Sequence, residues 1–442
     1  MRKLLVIGLD AAPPRLLYEE LVGELPTLGA LIEEGARYQL KSCHPPITIP
    51  AWAVMTTGKT PGELGLYGFR HRKPGAYNEY WIASSRSIHF PQIWDILGRR
   101  GLRSVVVGVP PSYPPRPIRG YMISCFITPS NEVRFTWPPS LKRELKDYIF
   151  DVVFRTNERD KLIQELWKMT KRRFQVLRML SRRKWDFFMF VEIGVDRVQH
   201  AFWGYMDKEH HKYEPGNKYE EVIKEYYKLI DEELEQLLKE VPKDAIIVLV
   251  SDHGAKRMKG AFCVNQWLAD EGYLKLKEEP KKPGMELREV EVDWSRTTAW
   301  GWGGYYARIF INLKGREPHG YIDKRDYEAT RDQLIRDLER IRGPHGERWD
   351  TKAYRPEDLY QEVKGSPPDL IVYFDDLSWR SAGTLGWPTN YLRENDRGPD
   401  DAVHDWYGIY VVHDPQGTIE VGEKGIMKIE CINDHLLELI GV

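Results

Sequence analysis

The chain has 442 residues, which suggests two to four domains at about 150 residues per domain. Apolar residues make up 42% and charged residues 30%, a globular composition that excludes an intrinsically disordered chain. The 65 basic and 66 acidic side chains leave a net charge of −1, so the bulk charge does not favour binding to a nucleic-acid polymer or to an anionic membrane.

Strand-like and helix-like segments alternate along most of the chain. Short continuous apolar runs, typical of strands buried on both faces of a parallel sheet, occupy residues 3–9, 104–109, 187–192, 245–251, 370–374 and 409–412. Helical patterns occupy residues 25–35, 160–182 and 219–240. This alternation predicts an α/β fold, a three-layer sandwich around a mostly parallel central sheet.

Two segments interrupt the alternation. Residues 110–139 contain eight prolines, which predicts a long surface loop or short excursion rather than a helix or a central strand. Residues 273–365 open with a polar linker and contain a strand-like run at 307–313 and a helical pattern at 326–342. We interpret them as a small inserted α+β cap, so that residues 1–272 and 366–442 form the α/β core.

Cysteine usage and the N-terminal sequence bear on the cellular compartment. The four cysteines, Cys43, Cys125, Cys263 and Cys431, are too few and too scattered for a disulfide framework or a zinc ribbon. The N-terminal apolar run is shorter than the roughly 7–15 residues of a secretory signal. No later run approaches the ~20 apolar residues that span a bilayer. We therefore expect a cytoplasmic protein. Its few amides beside many charges are typical of thermophile proteins.

Acidic and histidine side chains follow three of the predicted strands and precede a fourth. The candidate metal ligands are Asp10 after residues 3–9, Asp196 and His200 after 187–192, Asp252 and His253 after 245–251, and His404 shortly before 409–412. In parallel α/β sheets, small molecules bind beyond the carboxyl ends of the strands, and these ends lie at one edge of the sheet. We therefore expect these side chains to lie close together. Three carboxylates and three imidazoles suffice for two divalent metal ions of mixed nitrogen and oxygen ligation.

Each of these signals has a structural alternative. An aspartate after a strand, such as Asp10, often caps the following helix. Residues 252–254 are a plausible turn sequence, and Asp196 and His200 have the spacing of an exposed helical pair. A lone histidine such as His404 is more often structural. The shared position of these residues at strand ends is what favours a common site.

Thr48 is the candidate nucleophile. It precedes Pro50, which fits the first turn of a helix, and a hydroxyl there lies beside free N–H groups that attract phosphate. A metal ion that lowers the pKa of the hydroxyl would make it reactive. The alternative is that Thr48 only caps the helix.

Taken in chain order, these motifs resemble a known family. Their order resembles that of the alkaline phosphatase superfamily, and within it the type I phosphodiesterase/nucleotide pyrophosphatase family. The motifs are Asp10, Thr48 in T-x-P, the D-x-x-x-H pair of Asp196 and His200, Ser251-Asp252-His253-Gly254 and the late His404. The resemblance covers both ends and the middle of the chain. It implies an alkaline phosphatase-type core and metal-dependent phosphoester hydrolysis through a covalent phosphothreonine intermediate.

The resemblance also implies roles for individual residues. When the roles known in the family are assigned to the matching positions, one metal ion would be held by Asp10, Thr48, Asp252 and His253. A second would be held by Asp196, His200 and His404. Thr48 would be the nucleophile. Both ions are expected to be zinc, since the family usually carries zinc, with manganese or magnesium in some members.

One family feature is missing from this sequence. An asparagine about twenty residues past the nucleophile helps to hold the phosphoryl oxygens in the family, whereas the corresponding segment here contains Arg70, His71 and Arg72. Arg70 and His71 are candidate replacements, since a guanidinium suits phosphate, whereas Arg72 is better read as part of a solvated basic loop. The aromatic residues of 300–305 could stack on a base or sugar, or merely pack.

The expected substrate is a small phosphoester, such as a nucleotide or nucleotide sugar, with no nucleic-acid polymer and no membrane span. Two alternatives remain open. The same site could act as a phosphomonoesterase or a phosphotransferase such as a mutase, or the chain could be a binding protein that has lost catalysis. The sequence gives no oligomeric state.

Overall fold

A computed structural model describes residues 2–442, which divide into two compact units. The first unit contains the chain up to Phe69, together with Ala83–Lys256 and His404–Val442. The second unit contains Arg70–Ile82 and Arg257–Val403. Residues 273–365 therefore lie inside the second unit, which also includes flanking segments and a hairpin from early in the chain. The role of residues 273–365 as a cap stays a prediction.

The strands, numbered in chain order, are β1 Leu4–Leu9, β2 Ala36–Lys41, β3 Arg70–Arg72, β4 Tyr80–Ile82, β5 Ser104–Val107, β6 Gly120–Ile123, β7 Thr136–Trp137, β8 Phe187–Glu192, β9 Ile246–Val250, β10 Gly254–Arg257, β11 Gly260–Cys263, β12 Ala299–Trp302, β13 Ala307–Ile311, β14 Lys352–Tyr354, β15 Leu370–Tyr373, β16 Trp379–Ala382, β17 Tyr391–Leu392, β18 Ala402–Asp405, β19 Tyr407–His413 and β20 Gly422–Lys428.

The α-helices are α1 Pro26–Glu33, α2 Thr48–Thr57, α3 Pro61–Leu64, α4 Ile93–Arg99, α5 Arg159–Ser181, α6 Gly194–Met206, α7 Val222–Leu238, α8 Val264–Asp270, α9 Tyr327–Glu339, α10 Pro356–Leu359 and α11 Ile432–Ile440. A π-helical turn spans Arg15–Glu20, and 3₁₀ turns span Val22–Glu24, Ser85–Ser87, Pro139–Glu144, Leu287–Glu289, Lys324–Asp326 and Ile429–Cys431.

A nine-stranded sheet forms the centre of the first unit, in the order β20-β2-β19-β9-β1-β8-β5-β6-β7. Its middle strands β9, β1, β8 and β5 run parallel, and β19 is antiparallel to both β2 and β9. Every residue of β1 and β8 is buried, which explains their uninterrupted apolar sequences. Helices α1, α5 and α6 pack on α7, and α11 packs on α2. The predicted α/β fold with a mostly parallel central sheet is confirmed.

The proline-rich segment, expected to be a long surface loop or a short excursion, contributes two short strands to the edge of this sheet. Its two short strands β6 and β7 add to the sheet edge beyond β5. The prolines precede β6 or stand at either side of β7, so they leave free the N–H groups that pair the strands. Strand pairing of a few residues is invisible in a segment whose composition is dominated by proline.

The second unit contains a four-stranded antiparallel sheet in the order β12-β13-β15-β14. The apolar run at residues 370–374 predicts a strand of the core sheet. That prediction is wrong, because β15 pairs with β13 and β14. Its four residues are all buried, so its apolar run resembles that of a strand in a parallel sheet. Within residues 2–442, no helix is both long enough and apolar enough to cross a bilayer.

Candidate metal centre and nucleophile

The neighbouring parallel strands β9, β1 and β8 bring the candidate carboxylates together. Asp10 follows β1, Asp252 follows β9, and Asp196 lies in the first turn of α6, directly after β8. Because the three strands run in the same direction, their carboxyl ends meet at one edge of the sheet. All three carboxylates are almost completely buried.

The candidate histidines surround these carboxylates. His200 Nε2 lies 3.1 Å from Asp196 Oδ1, and His404 Nε2 lies 3.8 Å from the same oxygen. His253 Nε2 lies 3.3 Å from Asp252 Oδ2 and 3.8 Å from Asp10 Oδ1. The six predicted ligands therefore converge in one buried cluster.

Each carboxylate has one oxygen held by the protein and the other directed towards an imidazole. Trp52 Nε1 donates to Asp10 Oδ2 at 2.7 Å, and Arg197 Nη1 donates to Asp196 Oδ2 at 2.5 Å. The backbone N–H of Ala11 donates to Asp252 Oδ1 at 3.3 Å. The opposite oxygens of Asp196 and Asp252 are buried and form no hydrogen bond within the described chain. Such oxygens need a cation, so this donor set fits divalent metal ions.

Two imidazoles are oriented in the same manner. The Nδ1 atoms of His253 and His404 lie 2.9 Å from the Gly254 carbonyl oxygen and 2.7 Å from the Pro46 carbonyl oxygen. An N–H donated to these carbonyls leaves Nε2 with its lone pair directed towards the carboxylates. This is how metal-binding histidines are usually held.

The metal-ligating atoms fall into two groups. Atoms of Asp196, His253 and His404 lie within 4.8 Å of one another, as do atoms of Asp10, Asp252 and His253. His253 belongs to both groups. The division of the ligands between two ions, with His200 in the second set, therefore stays a prediction.

Burial and neighbouring charges shift the pKa values of the cluster. Burial raises the pKa of Asp10 well above its ordinary value, and the charge of Asp196 raises it further. Burial and the charge of Asp10 likewise raise the pKa of Asp252. Burial alone would raise the pKa of Asp196, but His200 and Arg197 hold it well below its ordinary value. Burial lowers the pKa of His253 to about 4, which leaves a neutral imidazole suited to a metal ion.

Thr48 lies beside this cluster. Its Oγ1 is 3.4 Å from Asp10 Oδ1 and 3.3 Å from His253 Nε2. Helix α2 begins at Thr48 itself, and the preceding Ile47 occupies the N-cap position. The hydroxyl therefore faces the candidate ligands and does not cap the helix.

Three side chains that no sequence motif singles out support the ligands. Trp52, one turn after Thr48, is fully buried and holds Asp10; its ring end occupies the space that a side chain at Gly8 would need. Arg197 holds Asp196 and is itself held by Asp151 through two hydrogen bonds of 2.8 Å. The adjacency of Arg197 to a ligand was a usable signal, whereas nothing in the sequence pointed to Asp151.

The candidate phosphate contacts lie on β3, in the second unit. His71 is buried and stacks on Trp81 with ring centroids 4.3 Å apart, and Arg70 is exposed. Their contact with a phosphoryl group stays a prediction. The interpretation of Arg72 as part of a solvated loop is wrong, since Arg72 is buried and forms a two-pronged ion pair with Glu317.

Comparison with known proteins identifies the family. The model of the type I phosphodiesterase/nucleotide pyrophosphatase family matches residues 4–400. The chain therefore belongs to this family, as its motifs predict. A search of curated proteins finds no match.

Two similar solved structures come from mammals. One is an inactive threonine-to-alanine variant of murine ectonucleotide pyrophosphatase/phosphodiesterase 5 in complex with AMP, at a TM-score of 0.59 and 13% identity, covering 100% of this chain and 96% of that chain. The human protein of the same name matches at a TM-score of 0.58 and 14% identity, covering 100% and 95%. At such low identity these likenesses establish the fold alone.

Proposed function

We propose that this protein is a metal-dependent phosphoester hydrolase that cleaves a phosphodiester or pyrophosphate bond through a phosphothreonine intermediate on Thr48. The observation that carries the proposal is the arrangement of the three carboxylates. Asp10, Asp196 and Asp252 each keep one oxygen in a hydrogen bond and direct the other towards imidazoles, beside the Thr48 hydroxyl.

The metal ions would be held by residues of this cluster. One ion is assigned to Asp10, Thr48, Asp252 and His253, and the other to Asp196, His200 and His404, with zinc expected because imidazole and monodentate carboxylate suit it. When bound, the ions supply Lewis acidity, which favours ionisation of a hydroxyl and stabilises negative charge on phosphoryl and leaving oxygens.

The chain's own residues then account for the two chemical steps. The Thr48 hydroxyl loses its proton, its Oγ1 forms a bond to phosphorus, and the ester bond to the leaving group breaks. The leaving oxygen departs as an alcohol or a phosphate once it has taken up a proton. Water then attacks the phosphorus of this intermediate, its bond to Thr48 Oγ1 breaks, the phosphomonoester product leaves, and a proton from the water restores the Thr48 hydroxyl. The start of helix α2 favours the anionic phosphoryl group, because the first amides of a helix lack partners within it.

The proposed substrate is a nucleotide or a nucleotide sugar. The murine relative was solved with AMP, as an inactive variant lacking one threonine hydroxyl. Both facts belong to that protein, and they support a nucleotide substrate and a threonine nucleophile here only as a proposal.

Hydrolysis of two nitrophenyl esters tests the reaction. With zinc present, we expect bis(p-nitrophenyl) phosphate to be hydrolysed with a higher kcat/KM than p-nitrophenyl phosphate. A higher value for the monoester would indicate a phosphomonoesterase, and no turnover of any ester by a zinc-loaded protein would favour a binding protein.

Variants of helix α2 test the nucleophile. Thr48→Ala should lower kcat by at least about a thousandfold, whereas Thr48→Ser should keep measurable turnover. Thr57→Ala is the matched control, because the Thr57 hydroxyl donates to the Ala53 carbonyl of the same helix and does not face the cluster. Equal loss of activity in Thr48→Ala and Thr57→Ala would contradict the role of Thr48.

A further inference from the structure

A group of basic side chains in the second unit has no acidic partner. The guanidinium of Arg308 donates through Nη1 to the backbone carbonyl of Arg70, and its Nε is buried without a hydrogen bond. Among the described residues, neither Arg70 nor Arg308 forms an ion pair with an aspartate or glutamate. Arg70 is exposed and Arg308 is half-buried, so both guanidinium groups can be reached by an anion from solution.

Neighbouring arginines of the same unit show the usual arrangement. Arg72, on the same strand as Arg70, forms a two-pronged ion pair with Glu317, and Arg380 pairs with Asp400 at 2.7 Å. Among these four arginines, the two buried ones have carboxylate partners, whereas the exposed Arg70 and the half-buried Arg308 have none within residues 2–442. Burial lowers the pKa of Arg308, and the charge of Arg70 lowers it further.

Aromatic rings frame these two guanidinium groups. Arg308 lies over the rings of Trp302 and Tyr306, at 5.3 and 5.7 Å from their centroids, and Arg70 lies over Tyr80 at 4.9 Å. Tyr80 meets Trp302 edge to face with centroids 6.3 Å apart and is 42% exposed. Arg70, Tyr80, Trp302 and Arg308 therefore form one continuous cluster, with solvent access at Arg70 and Tyr80.

The chemistry of this cluster matches one kind of ligand. The guanidinium groups of Arg70 and Arg308 belong to one cluster through their contacts with Tyr80 and Trp302, and their N–H donors suit the oxygens of a phosphate. A partly exposed tyrosine ring beside them offers a flat apolar surface for a ring. We propose that the cluster of Arg70, Tyr80, Trp302 and Arg308 binds a phosphorylated ring compound, with the phosphate on the arginines and the ring on Tyr80. This inference does not depend on the proposed hydrolysis.

Calorimetric titration of the full chain with phenylphosphonate tests the proposal, since the phosphorus–carbon bond of this probe is not an ester bond. Methylphosphonate supplies the anion without the ring, and benzyl alcohol supplies the ring without the charge. Each titration is repeated with a chelator present, which removes the contribution of the candidate metal centre.

We expect phenylphosphonate to bind with and without chelator, and at least tenfold more tightly than either partial probe. Arg308→Gln and Arg70→Gln should each weaken its binding at least tenfold, whereas Arg397→Gln, an exposed arginine of the same unit paired with Glu286, should not. Arg70→Gln keeps the carbonyl that Arg308 contacts, so it tests the charge without removing that bond. Binding that chelation abolishes, that both variants leave unchanged, or that is absent from the wild type overturns the proposal.

Discussion

Arg197 and Asp196, adjacent in the chain, form a direct ion pair in which Arg197 Nη1 donates to Asp196 Oδ2 at 2.5 Å. The other two guanidinium nitrogens of Arg197, Nε and Nη2, donate to Asp151, which holds the guanidinium facing the Asp196 carboxylate. The pair leaves Asp196 Oδ1 facing His200 and His404. Arg197 therefore decides which oxygen of Asp196 is available to a metal ion.

This arrangement predicts a positioning role for Arg197. Arg197→Lys keeps the positive charge but lacks the fork that joins two carboxylates, so we expect kcat to fall about 10- to 100-fold with a smaller change in KM. Asp151→Asn should lower kcat in the same direction and by less. Arg178→Lys, which alters an ion pair with Glu233 away from the cluster, serves as the control. An unchanged kcat in Arg197→Lys would contradict the prediction.

The hydrogen bond from Trp52 predicts a similar effect on the other side of the cluster. Trp52→Phe retains an aromatic ring but removes the N–H that holds Asp10 Oδ2, so the affinity for zinc should fall about tenfold or more. Trp185→Phe removes an indole N–H that donates to the Ser181 carbonyl, away from the candidate ligands. Competition with a zinc-binding dye compares the two variants. Equal zinc affinity in both would show that the loss of the Trp52 hydrogen bond has no specific effect.

Metal removal provides a direct test of the cluster. Mass spectrometry of the purified protein should find about two equivalents of zinc or manganese, falling to about one in His404→Ala. His413→Ala, on β19 of the same sheet, should retain both. Chelation should lower Tm, because metal ions stabilise the folded state that brings three carboxylates together. No bound metal, and no uptake on dialysis, would contradict the ligand assignment.

The pH dependence of the free energy of unfolding tests whether His71 is buried in the folded protein or exposed to solvent. Burial lowers the pKa of His71 to about 3, and the charge of Arg308 acts in the same direction. In the unfolded chain an imidazole titrates near 6.5, so below that pH the unfolded state takes up the proton preferentially. Stability from this group is therefore complete above about pH 6.5 and is lost as the pH falls towards 3.

His71→Phe retains a ring that can stack on Trp81 but cannot take up a proton. Between pH 7 and pH 5, the free energy of unfolding of the wild type should fall by about 2 kcal/mol more than that of the variant. Urea titrations at the two pH values measure this difference. The same pH dependence in both proteins would mean that His71 is accessible to protons in the folded state.

The sequence predicted the candidate site better than it predicted its surroundings. Asp10, Asp196 and Asp252 were recognisable because each follows an apolar run, and parallel strands bring such positions together. Trp52 and Asp151 were not, because their contacts join segments that only the folded sheet brings into contact. Strand β15 was misplaced for a related reason: a strand buried on both faces has the same apolar sequence in either kind of sheet.

The candidate metal ligands are synthesised at different times during translation. Asp10 comes from the beginning of the chain and His404 from near its end, while Asp196 and the 252–253 pair lie between them. During translation the growing chain presents the first carboxylates long before the last imidazole has left the ribosome. The complete set of candidate ligands can therefore form only after residue 404 has been synthesised.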